Sequence, residues 1–283
     1  MNKYPIYIIS KGRWQSRLTA KALQAINADW RIVVEPQEYD AYCTVIDVNR
    51  VLKLPFSNLG QGSIPARNWV WQHSIEQGSA RHWILDDNIL RFHRLHKNVK
   101  YHVKTTATFK AIEDFADRYL NIPMCGMNYE PLQPAKNKAN PITWNTRIYS
   151  CILLTNRNPL WWRGRYNEDT DLSLRYLKQG NCTALFNAFL CKKMATMTMK
   201  GGNTEALYEQ SKQFDGRLAM AQSLQRQHPD VVTVTRKWGR WQHHVDYRPF
   251  KNNVLLKNKH TELPRGINEF GMTLINHANA EAP

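Results

Sequence analysis

Cysteine is scarce in this 283-residue chain, and so is acidic charge. The five cysteines (Cys43, Cys125, Cys151, Cys182 and Cys191) are odd in number and form no CxxC pair. That pattern excludes a disulfide framework and a cysteine-built zinc cluster, and it fits reduced thiols in a cytosol. No apolar run approaches the roughly 18 residues that a membrane-spanning helix needs. The start, Met1-Asn2-Lys3-Tyr4-Pro5, leads directly into strand-like sequence without the apolar core of a signal peptide. The expected setting is cytoplasmic, with no membrane partner.

The shortage of acid is the more informative deficit. Asp and Glu number 23 against 39 Lys and Arg, a formal net charge of +16, in a chain that is 42% hydrophobic and 11% aromatic. Such a balance belongs to a globular protein with a polyanionic partner. A nucleic acid fits best, although headgroups, acidic glycans and nucleotides also attract a basic surface. The charge is spread along the chain, so it belongs to the folded surface and not to a tail.

Tyr4 to Ser10 reads as a buried strand, followed by the polar turn Ser10-Lys11-Gly12-Arg13 and a helical pattern of Leu18, Ala22, Leu23 and Ile26. A second strand, Arg31-Ile32-Val33-Val34, ends at Glu35, which predicts a parallel βαβ unit with Arg13 and Glu35 at neighbouring strand ends. Arg13 there could hold a base or phosphate, or could be a solvated loop arginine. Ser63 is read as the N-cap of a helix with Pro65 in its first turn, Val70, Trp71, Ser74 and Ile75 facing inward, and Gly78 after its end. Arg67 and Asn68 lie near its electropositive start, where a diphosphate or a pyrimidine is recognised readily; structural bonds to loops are the bland alternative.

That helix leads into the stretch around which the chain is organised, Arg81-His82-Trp83-Ile84-Leu85-Asp86-Asp87-Asn88. An apolar strand that breaks into oxygen-bearing side chains places them in the crevice beyond the strand ends, where open α/β sheets bind ligands. Asp86, Asp87 and Asn88 suit Mn²⁺ or Mg²⁺ shared with a substrate's phosphates, while turn-forming residues after a strand are the plain reading. The segment from Arg91 to Lys104 is basic and holds His93 and His96, read as surface histidines because no further ligand stands at zinc spacing. Phe109, Ile112, Phe115, Ala116 and Tyr119 predict a packed helix. Strands follow at 121–127 and 148–154, separated by a long loop, Asn128 to Asn145.

A second chemical signal is Asn167-Glu168-Asp169-Thr170-Asp171, three carboxylates at a helix start with Asn167 as cap, Leu172, Leu174, Tyr176 and Leu177 buried, and Gly180 at the end. Acidic groups there stabilise a helix through its dipole; one of them could also take a proton from an acceptor hydroxyl. Lys200-Gly201-Gly202-Asn203 permits close backbone approach. A helix is expected from Thr204 to Arg226 and a strand from Val231 to Thr235. Arg236-Lys237-Trp238-Gly239-Arg240-Trp241-Gln242-His243-His244 is the densest basic and aromatic run, suited to stacking on bases and touching phosphates.

Taken in order, these motifs resemble a GT-A glycosyltransferase over Tyr4 to about Phe250. More narrowly, they are similar to the phage glycosyltransferases associated with TET/JBP-type base oxygenases, which glycosylate 5-hydroxymethylcytosine in DNA. The resemblance implies an α/β fold with an open, mostly parallel central sheet flanked by helices, Rossmann-like and binding a nucleotide sugar. It implies one domain, residues 1–283: a donor half over 1–127, an acceptor half over 128–250 and an extension over 251–283. Asp86-Asp87-Asn88 matches the family's DxD-type motif for metal, ribose and diphosphate, with Asn88 in place of the usual acid, so either aspartate could touch the metal. Glu168 and Asp169 match its acidic pair, Asp169 as base and Glu168 positioning the hydroxyl. Ser10, Arg13, Glu35, Arg67, Asn68 and Asp86 correspond to the donor walls, and His243 or His244 to a late histidine at the metal or diphosphate. Gly201, Gly202, Asn203, Arg236, Lys237, Trp238, Arg240 and Trp241 would meet the acceptor.

The implied reaction moves a hexose, glucose by expectation, from a UDP-sugar to hydroxymethylated DNA with Mn²⁺ or Mg²⁺, in the host cytoplasm if the gene is a phage's. A glycosyltransferase acting on a glycan, lipid or protein, a metal-dependent nuclease, and a non-catalytic binder are the competing readings.

Overall fold

The computed structural model describes residues 2–134, 140–194, 201, 215–260 and 267. Its elements, in chain order, are β1 (Ile6–Ile9), α1 (Leu18–Gln24), β2 (Trp30–Val34), α2 (Tyr39–Cys43), β3 (Val51–Lys53), α3 (Ile64–Glu76), β4 (Arg81–Asp86) and β5 (Ile89–His96). There follow β6 (Val99–His102), α4 (Ala107–Asp117), β7 (Met124–Tyr129), β8 (Ile142–Trp144), β9 (Cys151–Thr155), α5 (Glu168–Lys178) and β10 (Thr183–Lys193). α6 (Gly216–Gln227), β11 (Val232–Lys237) and β12 (Arg240–Val245) complete the set.

The described strands form one 10-stranded sheet in the order β3-β2-β1-β4-β9-β7-β10-β5-β6, with β8 on β10, and a separate β11-β12 hairpin. β1, β2, β3 and β4 pair in parallel, as do β7 and β10. β9 enters antiparallel between β4 and β7, and β5 runs antiparallel to β10, so the central α/β sheet is mixed.

Alternation along the strands explains why the apolar runs are continuous, since both faces of a helix-covered sheet are buried. Ile6, Ile8, Trp83 and Leu85 point into one core with Leu23 of α1 and Phe109 and Ile112 of α4. Their neighbours Tyr7 and Ile84 point into the other, with Val70 and Trp71 of α3 and Leu172 and Tyr176 of α5. α5 is apolar on its far side as well: Leu174 and Leu177 pack on Leu224, Val231, Val232 and Phe250. Sandwiched between the sheet and this third cluster, α5 has its N-terminus fixed in place. Gly126 in β7 admits no side chain, because a Cβ there would lie 2.1 Å from the Cys151 carbonyl oxygen of β9.

Several sequence expectations need correction. The loop expected from Asn128 to Asn145 contains β8. The basic segment from 91 onward forms the β5-β6 hairpin, and its histidines are not both on the surface. His93 is buried edge-on to His102 at 4.8 Å, and burial lowers its pKa to about 4. The helix expected from Thr204 is described from Gly216 on, and residues 202–214 lie outside the described residues. No described helix is long and apolar enough to cross a membrane.

Candidate active site

The site lies beyond the C-terminal ends of β1, β2 and β4, where the topology leaves a crevice. Ile9 is level with Asp86 across β1 and β4. Because β9 is antiparallel to β4, its first residue, Cys151, pairs with Leu85 and brings the preceding Ser150 to the same edge. β10 ends there too, with Lys193 opposite Ile89 of β5. α1 holds the motif's turn: Thr19 Oγ1 donates to the Asp86 carbonyl at 2.6 Å and accepts from the Ile89 N–H at 2.9 Å.

Asp86 is bracketed by cations. Lys193 Nζ lies 2.8 Å from its Oδ2, Ser150 Oγ donates to the same oxygen at 2.6 Å, and Arg67 Nη2 donates to Oδ1 at 3.2 Å. Burial alone would raise the Asp86 pKa, but the charges of Lys193 and Arg67 outweigh it and hold the carboxyl well below the usual range. Burial works equally against the charge of Lys193, yet Asp86 holds that ammonium above the ordinary lysine value. Asp87 faces the other way: Arg13 Nη1 donates to Oδ1 and Ser10 Oγ to Oδ2 at 2.8 Å. Burial pushes its pKa up and the Arg13 charge offsets part of that rise. The Arg13 guanidinium also donates to the Gly201 carbonyl at 3.0 Å. A Cβ on Gly201 would meet the Gly12 carbonyl oxygen at 2.7 Å, so the expected close backbone approach is to the Ser10–Arg13 loop.

The three carboxylates of α5 divide into three environments. Glu168 turns toward α3: its Oε1 accepts from Ser63 Oγ at 3.2 Å and lies 3.4 Å from Arg67 Nε. Burial raises its pKa, Arg67 opposes the rise, and the charge of Asp169 adds to it. Asp169 lies within electrostatic reach of His243, Tyr247 and Tyr149, as Arg147 also does. Its Oδ1 accepts from the Thr170 N–H at 2.6 Å. Asp171 is fully buried and structural, accepting from Arg175 at 2.8 Å, His228 at 2.9 Å and Arg163 at 3.0 Å.

Other residues singled out in the sequence find different partners. Ser63 and Asn167 occupy the two N-cap positions without a capping bond. Ser63 gives its hydroxyl to Glu168 and accepts from Arg67, while Asn167 donates to the Met220 carbonyl at 2.9 Å. Asn68 spends both ends of its amide on the Trp162 backbone, at 2.8 and 3.0 Å, a clamp between α3 and the loop before α5. Glu35 pairs with Lys11 at 2.9 Å, and its pKa is lowered because Lys11 and Gln37 outweigh burial.

The divalent cation expected at Asp86-Asp87-Asn88 does not fit these donors. Both oxygens of each aspartate are taken by Lys193, Arg67, Arg13, Ser150 and Ser10. Asn88 Oδ1 is buried without a hydrogen-bond partner, as is His243 Nε2 on β12, and a single amide oxygen in the motif makes no site for a hard cation. Among the described residues no group of three or more His, Cys, Asp or Glu gathers to hold a metal. His243 and His244 lie on β12, His243 within the field of Asp169 and His244 exposed, so neither completes such a group. Gly202 and Asn203 lie outside the described residues.

The acceptor candidates stand on the β11-β12 hairpin. Lys237 pairs with Arg240, leaving Trp238 and Gly239 as a two-residue turn with φ of 50° and 71°. A left-handed conformation costs a bulky residue on the order of 1 kcal/mol, and Trp238 is 87% exposed, so packing does not account for it. Arg236 covers the Trp241 ring at 5.7 Å.

Residues 4–202 match the family of TET-associated glycosyltransferases. The chain belongs to that family. It is therefore a member of a glycosyltransferase family, and its α/β sheet carries the candidate site at the strand ends. No curated protein matches it. Among solved structures, this TET-associated glycosyltransferase is similar to GalNAc-T7 crystallised with UDP, GalNAc and Mn²⁺, at 11% identity and a TM-score of 0.41 over 69% of this chain and 44% of that one. It thus spans less than half of that relative's length. A nucleotide-diphospho-sugar transferase from Desulfovibrio desulfuricans matches over 66% of this chain and 80% of its own, at 12% identity and a TM-score of 0.37. A Thermus thermophilus protein described as mannose-1-phosphate geranyltransferase matches over 66% and 58%, at 12% identity and 0.33.

Sequence reasoning missed four side chains of this glycosyltransferase's site: Lys193, Ser150, Tyr129 and Tyr42. Tyr42 OH lies 2.5 Å from Ser10 Oγ and accepts from the Arg13 N–H at 3.1 Å, fixing the loop that reaches Asp87. Lys193 was visible in principle, since Leu190-Cys191-Lys192-Lys193 breaks from apolar to polar as Ile84-Leu85-Asp86-Asp87 does.

Proposed function

We propose that the chain transfers a hexose, glucose by expectation, from a UDP-sugar to the hydroxyl of 5-hydroxymethylcytosine in DNA. The observation that carries the proposal is the division of labour at the start of α5. Glu168 faces the cations Arg67 and, through Asp86, Lys193, whereas Asp169 and Arg147 both lie within electrostatic reach of Tyr247 and the hairpin histidine His243. A donor diphosphate belongs with the first group, where the N-terminal turns of α3 and α5 add their positive ends. The acceptor hydroxyl belongs with the second, beside the basic and aromatic hairpin.

In this reading Asp169 takes the hydroxyl proton as the oxygen bonds to the anomeric carbon. The bond from that carbon to the diphosphate breaks, and its electron pair leaves with the phosphate. Glu168 holds Arg67 toward the leaving group, a role assigned from its contacts in place of hydroxyl positioning. Charge fixed in advance around a leaving group is the largest lever such a site has. A base within a duplex must first leave the stack, at a cost of a few kcal/mol, which phosphate contacts from the +16 surface and stacking on Trp238 or Trp241 offset.

The test is release of UDP from a panel of UDP-hexoses. Release stimulated by 5-hydroxymethylcytosine DNA, and not by cytosine DNA of the same sequence, is expected. Equal release with both would remove the proposed acceptor and favour a glycan, lipid or protein.

A further inference from the structure

We infer that Lys193, at the end of β10, supplies the positive charge that a divalent cation would otherwise bring to the donor diphosphate. The inference rests on the glycosyltransferase reading of the site and adds to it how the leaving group is stabilised.

The ammonium is built into the crevice from three strands. Its Nζ lies 2.8 Å from Asp86 Oδ2 at the end of β4, 2.9 Å from Ser150 Oγ just before β9, and 3.3 Å from the Tyr129 hydroxyl at the end of β7. It also sits 5.2 Å from the centre of the Tyr129 ring. Tyr129 and Ser150 bond to one another, so the cradle persists independently of the lysine. The Lys193 side chain keeps 18% of its surface open, and a phosphoryl oxygen would replace the long bond to Tyr129. A lysine held this way is a point charge that accepts any phosphate geometry.

The carboxylates of the motif are matched to fixed cations and not to a free ion. Asp86 bridges Lys193 and Arg67, so a metal could reach it only by displacing two positive groups and then lying beside them. Asp87 is closed by Arg13 and Ser10. Asn88, the neutral third position, removes the remaining charge, and its buried Oδ1 offers an acceptor for a donor hydroxyl. Asp86 is then a positioning residue, aiming Lys193 and Arg67 at the same point. When the bond between the anomeric carbon and the diphosphate breaks, the electron pair stays on the phosphate oxygen. Lys193 and Arg67 hold the added charge without changing their own protonation, and the acceptor proton goes to Asp169.

The experiment measures UDP binding by calorimetry with chelator-treated protein, with and without added Mn²⁺, and in parallel transfer from a UDP-hexose in both conditions. Wild-type protein should bind UDP and turn over within about twofold with or without Mn²⁺. Lys193→Met should weaken UDP binding about tenfold or more, the size of one charge-assisted hydrogen bond, and Lys193→Arg should recover part of it. UDP binding that appears only with Mn²⁺, or that Lys193→Met leaves intact while circular dichroism shows it folded, overturns the inference. The wild-type chelator arm decides the matter even if Lys193→Met fails to fold. Absence of UDP binding in every condition would overturn the donor reading itself, while loss of the DNA acceptor alone would leave these binding results standing.

Discussion

Replacing Asp171 with alanine should cost this protein about 3 kcal/mol of stability, although Asp171 touches neither the donor cations nor the acceptor hairpin. Its side chain is fully buried and accepts from three groups that hold α5, the loop before it and the C-terminal end of α6 together. Arg163 is 53% exposed and loses little when the carboxylate goes. Arg175 and His228 are 15% and 2% exposed, and they would be left facing an empty site. Removing one partner of a buried ionic group costs roughly 3–5 kcal/mol. Arg175 also donates to the Leu160 and Trp161 carbonyls, at 2.5 and 2.7 Å, which places the cost at the lower end.

Urea unfolding at neutral pH measures the difference directly. The pH dependence has a defined sign: burial raises the Asp171 pKa, but His228, Arg163 and Arg175 outweigh it and leave the folded value lowered. The stabilisation is therefore complete above the ordinary aspartate range and is lost as pH falls through the lowered folded value. Asp171→Ala should flatten that acid-side loss. A stability change below about 1 kcal/mol, or an unchanged acid profile, would refute the assignment of Asp171 as the anchor of α5.

Asp169→Asn should lower transfer about 100-fold or more, the usual contribution of a positioned base, with UDP affinity unchanged; initial rates against a binding isotherm separate the two. Trp238→Ala should weaken binding and transfer on duplex DNA by about 1–3 kcal/mol if the indole stacks on a base, and leave the melting temperature in place because Trp238 is 87% exposed. Gly126→Ala should destabilise the fold by about 3 kcal/mol, since the new Cβ would meet the Cys151 carbonyl oxygen at 2.1 Å and β7 would have to part from β9; thermal unfolding reports it.

The parts of this architecture legible in the sequence were those set by local pattern. Apolar runs gave β1, β2 and β4, and the break after Leu85 marked the end of β4 without any knowledge of its partners. The carboxylates at Glu168 and Asp169 were legible as a pair, because a helix start with three acids is conspicuous. Their separate environments were not, since Asp171 is claimed by Arg163 and His228 from other elements. Tertiary bonds also overrode the caps: Ser63 and Asn167 were read correctly as helix starts, but their side chains serve Glu168 and Met220. β10 was hidden by its composition, with Asn187 in mid-strand bonded to Asn128 and to the Asn140 carbonyl. The cation at Asp86 was not legible either, because Lys193 arrives from 107 residues further along the chain.

Mass spectrometry of nucleosides from 5-hydroxymethylcytosine DNA, after incubation with the protein and UDP-hexoses, shows whether the DNA base is the acceptor. A hexose-sized gain confined to the hydroxymethylated base, present in chelator and absent with Asp169→Asn, is expected. No gain with any UDP-hexose, from a protein that binds UDP, would contradict the proposed acceptor.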